Sequence, residues 1–160
     1  MGYELQAVIA EDGLLRGVAW DVAGARVVGL RQGLSLVPMT DELVNAVAGG
    51  GGAEVLGFQR LSAGFERLLA GWSVAGPLAY VEAEHFGGVG EERAVVWAGG
   101  GLVLGPLDAP VKRRFSRPVG PVSQALRRLG ARRRLGGDEF DAVGLDRHRW
   151  TDGWAASGAG

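Results

Sequence analysis

A chain of 160 residues, 47% hydrophobic and 22% charged, is long enough to bury one sizeable core and too apolar for wholesale disorder. It contains no cysteine, which excludes disulfides, thiolate metal sites and cysteine nucleophiles. Its net charge of −1 conceals a segregation, because Lys112 to Arg134 holds nine of the 17 basic residues and none of the 18 acidic ones. Eight basic residues then face eighteen acidic ones elsewhere, a pattern that bears on partners and self-association, not on fold.

Glycine supplies 29 residues, far above the usual ~7%, and predicts many turns. The opening MGYELQAVIAEDG lacks the basic and long apolar regions of a secretory leader. The uncharged runs Leu68–Val81 and Ala94–Leu107 are 14 residues each, short of the ~20 that span a bilayer. A cytoplasmic protein is the expectation.

In chain order, Tyr3–Ala10 is rich in β-formers and reads as a strand. Asp12 is placed to cap a helix over Gly13–Ala23, with Leu14, Leu15, Val18, Ala19 and Val22 at helical spacing. Arg26–Arg31 and Leu34–Met39 flank Gln32-Gly33 as a hairpin. Thr40 suits the N-cap of a short helix, with Asp41 and Glu42 favourable to its dipole. Gly49–Gly52 lacks the Lys-Ser/Thr pair of a phosphate loop and reads as a connection. Ser62 caps a predicted core helix reaching Trp72.

The densest apolar stretch is Pro77–Pro106. It predicts strands over Pro77–Phe86, Arg93–Ala98 and Leu102–Gly105, joined by glycine turns. Asp108–Gly120, broken by proline and basic residues, reads as an exposed loop. Pro121 opens a helix to Leu129, Asp138–Val143 gives a further helical turn or two, and Trp150–Gly160 reads as a weakly ordered tail. The order predicts a single α+β domain over 1–154 with a disordered tail at 155–160. The sheet is expected to be mostly antiparallel, of about five or six strands, with helices packed on one face.

Glu82 and Glu84, two apart on a predicted strand, share a face, while His85 points the other way. Paired carboxylates suit metal binding or acid/base work, but a metal needs a third ligand from elsewhere. The simpler reading makes Tyr80, Glu82 and Glu84 the solvent face and gives Leu78, Ala79, Val81, Ala83 and Phe86 to the core. Gly87–Gly90 precedes a strand, not a helix, so it reads as a hairpin turn and not a nucleotide loop.

The basic residues Lys112, Arg113, Arg114, Arg117, Arg127, Arg128, Arg132, Arg133 and Arg134 are candidate partner contacts. Phe115 is the only aromatic among them, a thin basis for nucleic-acid stacking. Trp150 and Trp154, in a polar glycine-rich tail, are candidate interface anchors, with packing back on the sheet edge as the alternative.

The stretches Gly33–Leu43, Glu84–Glu91, Ala94–Trp97 and Asp138–Asp141 resemble segments of small uncharacterised proteins from high-GC Gram-positive bacteria. In general type, as a cysteine-free α+β domain with a glycine-turned antiparallel sheet, the chain is also similar to toxin-immunity proteins. That similarity implies a non-enzymatic module of the immunity or antitoxin kind, with no cofactor, whose partner is a protein such as a toxin. A metal-dependent enzyme using Glu82 and Glu84, and a nucleic-acid module using Lys112–Arg134, are the rival expectations.

Overall fold

A computed structural model describes residues 2–48, 54–87, 89–112 and 119–157. Six strands, β1 (Gly2–Glu11), β2 (Val28–Gly29), β3 (Leu34–Pro38), β4 (Leu78–Phe86), β5 (Val89–Ala98) and β6 (Gly101–Lys112), form one sheet in the order β2-β3-β1-β4-β5-β6. Every paired neighbour runs antiparallel. Six helices complete the fold: α1 (Asp12–Ala19), α2 (Asp41–Ala48), α3 (Ala63–Trp72), α4 (Pro121–Arg128), α5 (Glu139–Ala142) and α6 (Thr151–Ser157). A 3₁₀ turn spans Leu145–Arg147. This is the expected α+β, antiparallel architecture.

The helices do not keep to one face as expected; they cover both. Successive side chains of a strand point to opposite faces, and the two cores follow that alternation. Leu5, Ala7, Ile9, Ala79, Val81, Ala94 and Val96 pack with Val122, Leu126, Phe140, Leu145 and Trp154 on what we call the α4 face. Val8, Ala10, Leu78, Tyr80, Val95 and Trp97 pack with Leu15, Leu43, Phe65 and Leu69 on the α3 face. A strand buried on both sides reads as an almost unbroken apolar run, and the sequence of β1 and β4 has that character.

Local signals explain most element ends. Ser62 Oγ accepts from Phe65 N at 3.2 Å, and Thr40 Oγ1 from Leu43 N at 3.2 Å, so both anticipated caps are made. Helix α1 is capped by Glu11, whose carboxylate accepts from Gly13 N, and it is shorter than periodicity suggested. Gln32 and Gly33 both take positive φ, 61° and 76°, the geometry of a two-residue hairpin turn whose twist matches the flanking strands.

Two expectations about order are corrected. Residues 108–112, expected in a loop, continue β6; as an edge strand it tolerates Pro106 and Pro110, whose missing N–H groups an edge does not need. Residues 151–157, expected in the tail, form α6 and bury Trp154 completely. The glycine run 49–52 lies outside the described residues. No helix among the described residues is long and apolar enough to cross a membrane.

The β4–β5 hairpin leaves no room for a side chain at Gly90. A Cβ there would stand 1.9 Å from Glu84 O and 2.6 Å from His85 Cα. Gly90→Ala is expected to cost about 3 kcal/mol or more, at the upper end for overpacking. Gly29→Ala, where a Cβ meets nothing within 4 Å, is the control in denaturant unfolding. Equal midpoints for the two variants would refute this account of the hairpin.

Candidate functional site

Tyr80, Glu82 and Glu84 do share the α3 face, but they meet different surroundings along it. Tyr80 is fully buried, Glu82 is 6% exposed, and Phe86 is 75% exposed. The expected assignment of Tyr80 and Glu82 to solvent and Phe86 to the core is therefore reversed. The physical reason is non-local: residues 54–62 fold over this part of the sheet and bury Phe58 and Leu61 against it. Phe58 meets the Tyr80 ring edge-on at 5.0 Å.

Glu82 holds that loop down. Its Oε1 accepts from Gln59 N at 2.7 Å, and its Oε2 from Arg60 N at 2.9 Å and from the Tyr80 hydroxyl at 2.8 Å. Bonds to a charged acceptor contribute roughly 1.5–3 kcal/mol each, so three of them make Glu82 an anchor. Arg60, positioned by the same loop, donates to Met39 O at 2.9 Å and pairs with Asp41 at 2.9 Å. Beside Glu82 lies a shallow, solvent-open hollow of about 30 Å³ between Gln6, Gln59, Glu84, Glu91 and Arg93. Among the described residues no three His, Asp or Glu side chains converge to hold a metal.

His85 faces the other way, as its position in the strand dictates. Its Nε2 lies 2.9 Å from Glu92 Oε2, both groups being buried. Its ring stacks on Tyr3 at 5.6 Å. The second oxygen of Glu92 accepts from Val122 N at 3.1 Å. Helix α4 begins at Gly120, which has no side chain to cap it, and Glu92 on β5 supplies the missing carboxylate at the positive end of the dipole. Sequence reasoning missed Glu92, because nothing local connects a strand glutamate to a helix thirty residues on.

The basic residues divide. Arg113, Arg114 and Arg117 lie outside the described residues, and Lys112 ends β6. Arg127 is engaged by the buried Glu139 through its Nε, and Arg128 donates to Val103 O at 3.3 Å. Both serve the fold. Arg132, Arg133 and Arg134 are exposed. Gln32 brackets the Arg132 peptide, its Nε2 donating to Arg132 O and its Oε1 accepting from Arg132 N, both at 2.8 Å. That bracket brings exposed Arg31, the residue before Gln32, beside the run.

The tryptophans also divide. Trp154, a candidate anchor, is instead fully buried, with the Arg147 guanidinium 5.0 Å from its ring centre and His148 against its edge at 4.7 Å. Trp150 remains 55% exposed. Its neighbours tie it to β1: Glu4 N donates to the Arg149 backbone O at 2.7 Å, and Gln6 N to the Thr151 side-chain Oγ1 at 3.1 Å. No protein-family model, curated protein or solved structure matches the chain.

Burial and the neighbouring Glu82 carboxylate hold the Tyr80 hydroxyl well above the ordinary tyrosine value of 10.0. The folded state therefore keeps a proton that the unfolded chain releases once pH passes about 10. Tyr80 contributes full stability below that pH and progressively less as pH rises above it. Urea unfolding at about pH 9 and pH 11 should show an alkaline loss that is smaller in Tyr80→Phe. An identical loss in both proteins would show that Tyr80 is not its source.

Proposed function

We propose that this chain is a non-enzymatic protein-binding module of the immunity or antitoxin-like kind, which occupies an acidic surface of a partner protein, such as a toxin, through Arg31 and Arg132–Arg134. One observation carries the reading. The buried carboxylates best suited to chemistry, Glu82 and Glu92, are occupied by backbone N–H groups, while the arginine run stands exposed on a bracketed backbone. A held cationic surface raises the association rate with an anionic one, an effect that falls with salt.

The metal-enzyme reading draws little support from the geometry. Glu82 is engaged on both oxygens and Glu84 is exposed. The nucleic-acid reading draws on the same arginines, and salt dependence alone does not separate it from protein binding.

The test is co-purification with the product of the adjacent open reading frame, at low and high salt. Arg132→Ala, Arg133→Ala and Arg134→Ala combined should leave the melting temperature unchanged and weaken capture at low salt about tenfold or more. Arg127→Ala, by contrast, should lower stability, because it leaves Glu139 buried without its cation. Unchanged capture by the triple variant would count against the proposal. Binding to generic DNA or RNA that vanishes in that variant would move the reading to nucleic acid.

A further inference from the structure

The α3 face of the sheet is covered only in part. Beyond Glu82 the far ends of β1, β4 and β5 lie open, and the register sorts the exposed side chains into rows. Gln6, Glu82, Arg93 and Asp108 are cross-strand partners in one row. Glu4, Glu84 and Glu91 form the next. Gly2, Phe86, Val89 and Lys112 form the last, at the rim.

Phe86, Val89 and Trp150 make an apolar patch along the β1, β4 and β5 part of that rim. Phe86 is 75%, Trp150 55% and Val89 52% exposed. Trp150 and Phe86 close over Gly2 from two sides: a Cβ at Gly2 would lie 3.3 Å from Trp150 Cη2 and 3.7 Å from Phe86 Cδ2. Val89 is the direct cross-strand partner of Phe86. Single exposed apolar residues need no explanation, but adjoining ones mark interaction sites.

The carboxylate row beside it costs stability. Neighbouring strands are about 4.8 Å apart, and like charges directly opposite one another repel. Arg93 meets Asp108 through Nε at 3.1 Å and Glu91 through its guanidinium end at 3.8 Å. Glu4 and Glu84 have no ion pair among the described residues. Of the three carboxylates in line, only Glu91 has a cation beside it among the described residues.

We infer that this open sheet end is a docking surface for a cationic polypeptide segment whose apolar side chains seat on Phe86, Val89 and Trp150 while its basic groups meet Glu4, Glu84 and Glu91. Charge selects this occupant. An anionic phosphate backbone or lipid surface would be repelled, and a second copy related by two-fold symmetry would set the same carboxylates against themselves. A small cation has no use for the apolar row. The surface is separate from Arg132–Arg134, so the two can fail independently.

The probe is a short fluorescent peptide alternating arginine and leucine, with a glutamate–leucine peptide as control, read by anisotropy. The arginine peptide should bind with one-to-one stoichiometry and the control should not. Phe86→Ser with Trp150→Ser, which leaves every charge in place, should weaken binding about tenfold or more. Glu4→Gln with Glu84→Gln, which leaves the apolar row in place, should do the same. The Arg132–Arg134 alanine variant should bind as the parent does. Unchanged affinity in Phe86→Ser with Trp150→Ser would reduce the effect to general charge attraction and overturn the proposal. Self-association in light scattering that these substitutions abolish would also overturn it, by assigning the surface to a second copy.

Discussion

The antiparallel register between β1 and β4 is the constraint on which the rest of the molecule depends. These central strands pair over nine positions, from Gly2↔Phe86 to Ala10↔Leu78, and each contributes side chains to both cores. The same register sets Tyr3 opposite His85, Gln6 opposite Glu82 and Glu4 opposite Glu84. A slip by one residue would exchange the two faces of a strand and bury its charges in both cores at once. Apolar burial on two sides thus fixes the address of every polar group discussed above.

Two of those groups play matching parts on opposite faces. Glu82 on β4 accepts two backbone N–H groups of the 54–62 loop that roofs the α3 face. Glu92 on β5 accepts the Val122 N–H of the helix that roofs the α4 face. They sit one register step apart, Glu82 opposite Arg93 and Glu92 opposite Ala83. A buried carboxylate is tolerable only when donors replace its lost water. Here the donors come from the covering layers themselves, so the requirement of each carboxylate fastens a layer to the sheet. That explains two ionisable residues deep in the structure without assigning either of them chemistry.

How much of this was legible in the sequence depended on range. Caps at Thr40 and Ser62 and the Gln32-Gly33 hairpin are written in a few consecutive residues, and the structure keeps them; the hairpin read at Gly87–Gly90 is also present, with Val89 and Gly90 already paired in β5. Alternation correctly placed Glu82 and Glu84 on one side and His85 on the other. It could not say how far along the strand cover extends, since that is decided by a loop twenty residues away. Hence Tyr80 and Phe86 exchanged roles. The sequence left Trp154 between anchor and core for a related reason: helix α6 packs on β1, β2 and β3, far back in the chain, and a short glycine-containing helix carries no readable period. The strand end at 108–112 was hidden by prolines that only an edge permits.

The charge segregation visible in the sequence acquires a direction in the structure. Arg31 and Arg132–Arg134 gather at the Gln32-Gly33 turn, beside Glu11 and Leu34 at one end of the strands. Glu4, Glu84 and Glu91 stand toward the other end, where Phe86 meets Val89. A net charge of −1 therefore conceals an arginine patch at one end and a carboxylate row at the other, where Lys112 also ends β6 opposite Val89. Each field acts over about a Debye length, 8–10 Å at ordinary ionic strength, well below the ~30 Å that a nine-residue strand extends. The ends are consequently felt by an approaching molecule one at a time. In a well-folded chain local choices agree with the whole, and departures from that agreement concentrate where function is served. Three aligned carboxylates next to uncovered aromatic rings are such a departure, and the opposing arginine run is kept in place by a glutamine at positive φ. Neither the arginine run nor the carboxylate row is required by the packing of the two cores, whose buried members are apolar.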